Sequence, residues 1–258
     1  MVSLTINGKV VTAREGEMLL TVTRRENIDI PALCHHDAVE PFGGCRLCTV
    51  EITKAEWDGW TNYVTACLYP VEDGLIVQTH SSKVNELRRT NLDLLSARCP
   101  NSPEIRQLAS EYGVTQTSFE EVPDADNCIL CGLCTRVCEQ LGFKAISTVG
   151  RGHSKQVAAP LKEAPPDCVG CLSCAQVCPT NVIEYTDTDG MRTIWNKPFD
   201  LIACSECGKH TITAAFADAL STLREIPRDY FDVCDECRRK ELSLKMGSIV
   251  AWSQEEAS

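Results

Sequence analysis

Leu4 and Ile6 alternate with polar neighbours, and after Asn7-Gly8 the run at 9–12 returns to strand-forming residues. Period-two alternation puts one face of a strand in a core. Asn-Gly supplies the two positive-φ residues of a type I′ turn, so the chain is predicted to open on a β-hairpin. Residues 15–27 change period, with Met18, Leu19 and Val22 on one helical face. Short runs at 49–53, 63–68 and 75–79 predict further strands. Hairpin, helix and strands together predict a β-grasp unit. Helical spacing resumes over 82–113 through Val84, Leu87, Leu92, Leu94 and Leu95, then Ile105, Leu108 and Ala109. Pro100 and Pro103 divide this stretch into two helices, and Gly113 suits a C-terminal cap. A polar stretch follows at 114–126, loops are marked at 150–153 and 160–166, and a polar tail at 253–258 is predicted to be mobile. The pattern reads as α+β in four parts: a first domain at 1–80, a helical linker at 81–123, a repeat-bearing domain at 124–189 and a C-terminal section at 190–258.

Composition changes this picture in one respect: seventeen of the 258 residues are cysteine. Dense cysteine means disulfide scaffolding or metal ligation, and the compartment decides between them. The first residues show no basic segment followed by an apolar run, and no stretch nears the ~20 apolar residues of a membrane span. The chain is therefore expected to be cytoplasmic, with thiols reduced and open to metals. A formal charge of −11 argues against a nucleic-acid partner and otherwise serves solubility.

Sixteen of the cysteines fall into ligand groups. Cys34-x10-Cys45-x2-Cys48-x18-Cys67 gives three thiolates on a wrapping loop and a fourth from a distant strand, which suits a 2Fe–2S cluster; spacing alone leaves zinc as a rival. Gly43-Gly44 would let backbone N–H groups approach the sulfurs. Cys128-x2-Cys131-x2-Cys134-x3-Cys138 and Cys168-x2-Cys171-x2-Cys174-x3-Cys178-Pro179 are two copies of the bacterial ferredoxin run, though Glu139 stands where a proline often follows the fourth cysteine. In such pairs the fourth cysteine of each run ligates the other cluster. One 4Fe–4S cluster is thus assigned to Cys128, Cys131, Cys134 and Cys178, the second to Cys138, Cys168, Cys171 and Cys174. Cys204-x2-Cys207 and Cys234-x2-Cys237 form a fourth metal site, read as structural zinc with a further 4Fe–4S cluster as the alternative. Cys99 stands alone and reads as a small buried hydrophobe. The five histidines read as polar loop residues, although His35 and His36 lie beside Cys34. No phosphate-binding glycine loop, Ser/His/Asp series or dinucleotide fingerprint is present, so no catalytic residue is assigned.

These motifs resemble a known family. Leu33-Cys34-His35-His36, Gly43-Gly44-Cys45-Arg46-Leu47-Cys48, Asn127-Cys128-Ile129-Leu130-Cys131 and Gly150-Arg151-Gly152 are similar, over about residues 1–185, to the N-terminal region of the large iron–sulfur subunit of respiratory complex I. They are equally similar to the small diaphorase subunits of NAD-linked hydrogenases and formate dehydrogenases. The resemblance implies an electron-transfer subunit relaying single electrons between an FMN- and NAD-binding flavoprotein and a catalytic or ferredoxin-reducing subunit, in a complex of the hydrogenase, formate dehydrogenase or electron-bifurcating type. Many members carry a further 4Fe–4S cluster in the linker, held by one His and three Cys. Here Leu95 stands at the His position and Ser102 at the next Cys, so that cluster is expected to be absent, with Cys99 as its remnant. The C-terminal four-cysteine section is the second departure from the short relatives. A stand-alone polyferredoxin and a zinc-binding scaffold or regulatory protein are the competing readings.

Overall fold

The opening hairpin forms as its pattern requires. β1 (Val2–Ile6) and β2 (Lys9–Ala13) pair antiparallel from Ile6↔Lys9 to Val2↔Ala13, and Asn7 and Gly8 turn with φ of 51° and 84°. The structure is a computed structural model that describes residues 1–123 and 125–255, with side chains to residue 246. α1 (Leu19–Arg25) is shorter than the 15–27 pattern predicts. Gly16 takes a φ of 77°, and Met18 is held extended by a bridge to Pro70, so the helix begins only at Leu19. β3 (Thr49–Thr53), β4 (Asn62–Thr65) and β5 (Ile76–Gln78) complete a five-stranded sheet in the order β2-β1-β5-β3-β4, with β1 and β5 parallel. β4 stops at Thr65 because the chain turns there, Leu68 N–H donating to Thr65 O at 3.0 Å. The sheet and α1 close over Leu4, Ile6, Leu19, Leu20, Val50, Ile52, Leu75 and Val77, all essentially without solvent exposure. Each such side chain contributes roughly 1.5–3 kcal/mol by leaving water.

Two helices follow, as the spacing predicts. α2 (Ser82–Arg98) is capped by the Ser81 hydroxyl, which accepts from Val84 N–H. α3 (Pro103–Glu111) has Pro103 in its first turn and Ser102 as its cap. Gly113 turns left-handed past the end of α3, with a φ of 75°. α4 (Leu133–Gln140) starts from Gly132, and β6 (Ser147–Val149) pairs with β7 (Gln156–Ala158) as a ribbon. A short helix, α5 (Ser173–Gln176), ends the repeat region.

The C-terminal section forms a four-stranded antiparallel meander. β8 (Tyr185–Thr188), β9 (Met191–Ile194), β10 (Lys197–Ala203) and β11 (His210–Thr213) lie in sequence order across the sheet. Two tight turns join the first three strands, Asp189-Gly190 and Trp195-Asn196, each with both residues at positive φ. α6 (Ala214–Arg224) starts at the Thr213 cap, and α7 (Asp235–Glu255) ends the described chain. The tail predicted at 253–258 is therefore helical to Glu255, and its residues 256–258 lie outside the described residues.

The chain divides into two compact units. The first comprises residues 1–141, 148–157 and 174–183; the second comprises 142–147, 158–173 and the described chain from 184 onward. Among the described residues, no helix is long and apolar enough to cross a membrane.

Candidate metal centres

None of the seventeen cysteines is in a disulfide. Cys34, Cys45, Cys48 and Cys67 come together in the first unit, on the loop between α1 and β3 and just after β4. Cys45 N–H donates to Cys34 Sγ at 3.3 Å. The Cys45 thiol first, then the N–H groups of Cys45 and Gly44 and the charge of Arg136, hold the Cys34 thiol down at about 6 against burial. The Cys48 thiol likewise lowers Cys67, with the Gly43 N–H adding to it. Cys45 and Cys48, the donors of these pairs, are pushed up first by that donation and then by burial. Gly43 has a φ of 69°, and a Cβ there would lie 2.5 Å from Leu68 Cδ1, so glycine is what brings these amides to the sulfurs. A pocket whose backbone donors converge on thiolate sulfur fits an anionic iron–sulfur group.

Cys128, Cys131, Cys134 and Cys178 also lie together in the first unit. Burial first, and then repulsion among the thiols, push Cys131 to about 11 and Cys134 to about 12; burial, then Asp126 and Cys178, raise Cys128. The N–H groups of Leu130 and Leu133 point at Cys128 and Cys131 and oppose this. Buried thiols crowded in this way suit a cationic iron core. Of the residues assigned to the second 4Fe–4S cluster, Cys138 and Cys174 belong to the first unit, and Cys168 and Cys171 to the second.

Two arginines that the sequence did not single out grip the first loop. Arg88 on α2 has no solvent exposure; its Nε donates to Leu47 O and its Nη2 to Thr49 O, both at 2.9 Å. Arg136 on α4 donates through one nitrogen, Nη2, to Cys34 O at 3.1 Å and to Cys131 O at 3.3 Å. Its Nη1 donates to Glu40 O, and its guanidinium faces the Phe42 ring. Arg136 thus ties a 2Fe–2S candidate ligand to a 4Fe–4S candidate ligand. Cys34 and Cys131 also share one apolar cluster with Val39, Leu133, Val137 and Val177.

The four C-terminal cysteines converge in the second unit, with all four Sγ atoms within 4.8 Å of one another. Among the described residues this is the one group of three or more metal-ligating side chains drawn so close. Cys207 Sγ lies 3.7 Å from Cys234 Sγ. Cys204 follows directly on β10, and Gly208, with a φ of 72°, turns the chain so that Gly208 N–H reaches Cys204 O at 2.8 Å. Cys234 and Cys237 flank the start of α7. Cys234 N–H donates to Cys204 Sγ at 3.3 Å, which is the largest cause holding the Cys204 thiol at about 6. Cys237, donating to the Cys207 and Cys234 sulfurs, is pushed up to about 12.

Cys99 is fully buried at the end of α2, where burial pushes its thiol up to about 12. Arg24 bonds His35 Nδ1 and Asp37 beside Cys34.

Comparison with known proteins agrees with this geometry. Residues 1–82 match the 2Fe-2S iron-sulfur cluster binding domain family, and residues 122–185 the 4Fe-4S dicluster domain family. The chain is 28% identical to the NADP-reducing hydrogenase subunit HndD of Solidesulfovibrio fructosivorans, over 71% of this chain and 36% of that protein. It is 30% identical to the NADPH-Fe(3+) oxidoreductase subunit alpha of Geobacter sulfurreducens, over 71% of this chain and 24% of the relative. With the mitochondrial NADH-ubiquinone oxidoreductase 78 kDa subunit of Neurospora crassa the identity is 26%, over 63% of this chain and 25% of the relative. The chain thus spans only about a quarter to a third of the length of these curated relatives. Among solved structures, the NAD+-reducing NiFe hydrogenase in its H2-reduced state superposes with a TM-score of 0.53 at 28% identity. That match covers 61% of this chain and 74% of the other. The resemblance drawn from the motifs holds: the chain carries 2Fe–2S and 4Fe–4S ferredoxin-type domains and is related to subunits of NAD(P)-linked oxidoreductases.

Proposed function

We propose that this chain is the iron–sulfur electron-transfer subunit of an NAD(P)-linked, flavin-containing oxidoreductase complex of the cytoplasm. It relays single electrons between a flavoprotein partner and a catalytic or ferredoxin-reducing subunit. The observation that carries this reading is the junction at Arg136, where the Cys34 and Cys131 carbonyls accept from one nitrogen and their side chains share one apolar cluster. Two redox ligand sets so close, with buried apolar side chains shared between them, suit a relay.

In this reading Cys34, Cys45, Cys48 and Cys67 hold a 2Fe–2S cluster. Cys128, Cys131, Cys134 and Cys178 hold one 4Fe–4S cluster, and Cys138, Cys168, Cys171 and Cys174 hold the other. When bound, the clusters supply one-electron oxidation and reduction. The protein's own groups do the rest: the Gly43 and Gly44 amides and the Arg136 charge stabilise negative sulfur, and the buried apolar side chains exclude solvent. The four-part division at 80, 123 and 189 belongs to the same proposal.

For Cys204, Cys207, Cys234 and Cys237 we infer zinc. A zinc ion with Zn–S bonds of about 2.3 Å places its sulfurs about 3.8 Å apart in a tetrahedron. The 3.7 Å separation and the 4.8 Å bound fit that edge. A 4Fe–4S cluster binds each thiolate on a different iron and so holds the sulfurs farther apart.

Anaerobic isolation from the native host tests the functional reading. A flavoprotein should co-elute in fixed ratio, and NADH or NADPH should bleach the iron–sulfur absorbance only when it is present. A chain that elutes alone and is reduced equally well without it would be a free ferredoxin instead.

A further inference from the structure

The second unit holds both the Cys168–Cys171 loop and the four-cysteine site, and one sheet connects them. Five backbone carbonyls of the loop are captured by side chains of that sheet. Lys197, the first residue of β10, donates through Nζ to Pro165 O at 3.1 Å, Pro166 O at 2.6 Å and Cys168 O at 2.8 Å. Arg192 of β9 donates to Gly170 O at 3.1 Å and is itself fixed by a two-pronged bond to Asp187, at 2.8 and 2.7 Å. Thr213, the last residue of β11, donates from its hydroxyl to Val169 O at 2.5 Å. Below the loop the Phe199 ring lies so close to Gly170 that an added Cβ would sit 2.8 Å from it.

Carbonyl capture has a chemical purpose beside a metal cluster: oxygens already engaged by a cation or a hydroxyl donor repel anionic sulfur less. The loop geometry therefore depends on where β9, β10 and β11 stand.

The far end of the same strands is the metal site. β10 runs straight into Cys204, and β11 begins three residues after Cys207. The cysteine knuckle is thus the turn of the β10–β11 hairpin, paired as Leu201↔Thr213, Ile202↔Ile212 and Ala203↔His210 with a register shift between Ile202 and Ala203. That pairing is short, three residue pairs broken by the shift. Cys207 is exposed, so no apolar packing stands in for a ligand there. A metal joining Cys204 and Cys207 to Cys234 and Cys237 would clamp the hairpin to the start of α7.

We propose that the four-cysteine metal site is a structural brace for the second 4Fe–4S cluster, fixing the β10–β11 hairpin and with it the Lys197 and Thr213 contacts that shape the cluster loop. This rests on the zinc reading and on the assignment of Cys168 and Cys171 to a cluster. Three full-length proteins, purified anaerobically, test it: wild type, Cys207→Ser with Cys237→Ser, and Lys197→Met. Each is assayed for zinc, for iron and for the rate of iron release into a ferrous chelator. The wild type should hold about ten irons and one zinc. The double variant should lack zinc and lose about four irons some tenfold faster, keeping the 2Fe–2S signal and about six irons. Lys197→Met should retain zinc yet show the same selective loss, which keeps the test open if the double variant does not fold. Zinc in the wild type with wild-type iron release from Lys197→Met would overturn the brace alone. About fourteen irons without zinc in the wild type would overturn the zinc reading, and the brace with it.

Discussion

Arg88 and Arg136 each place a guanidinium against backbone carbonyls of one cysteine loop, and neither was legible in the sequence. Their acceptors lie far away along the chain: Leu47 is 41 residues from Arg88, and Cys34 is 102 from Arg136. Spacing patterns report only neighbours. The cysteines could be read because their chemistry repeats locally, C-x2-C by C-x2-C, whereas a lone arginine inside a ferredoxin run reads as a solvated charge. Arg136 carries a prediction at this scale. Its charge favours negative sulfur at Cys34, and a reduced cluster is more negative than an oxidised one. Arg136→Gln should therefore lower the midpoint potential of the 2Fe–2S signal by tens of millivolts, about 1 kcal/mol for one electron, with iron content unchanged. A redox titration followed by EPR reads this directly; an unmoved potential would reduce Arg136 to a packing role.

At the scale of elements, the opening hairpin was fully legible, because Asn7-Gly8 can adopt positive φ cheaply and the flanking alternation fixes the register. The α2–α3 break was equally plain from Pro103 and its serine cap. α1 was overextended because helical spacing was counted through Gly16 and Met18, where a left-handed turn and a β-bridge keep the chain out of the helix. The C-terminal meander was missed although one signal was present. Asp189-Gly190 is a hairpin turn of the same kind as Asn7-Gly8, obscured because β8 is exposed throughout and one of the two buried positions of β9 is an arginine, Arg192, beside Ile194. That meander gives the loop at Gly170 its shape. Gly170 has a φ of 70° with Phe199 and Thr213 against it, so Gly170→Ala is strained both in its backbone and in its surroundings. The variant should bind about four fewer irons while keeping its zinc. Parallel iron and zinc analysis checks this, and full iron occupancy would show that the loop tolerates displacement.

The whole chain carries two ferredoxin-type domains and a sheet that ends in a four-cysteine group. Sequence reasoning reached the domains through ligand order, and the comparisons agree with it over residues 1–82 and 122–185. It left the last section with two readings, because C-x2-C pairs are compatible with either metal. Only sulfur separations, a three-dimensional quantity, favour zinc. The central claim is that this chain carries one 2Fe–2S and two 4Fe–4S clusters. Iron, acid-labile sulfide and zinc quantified on the anaerobically purified, full-length protein, alongside EPR of the reduced state, test that claim most directly. The account predicts about ten irons, about ten sulfides and one zinc per chain, with signals of both cluster types. Protein that holds zinc and no iron would contradict it and make the chain a zinc scaffold.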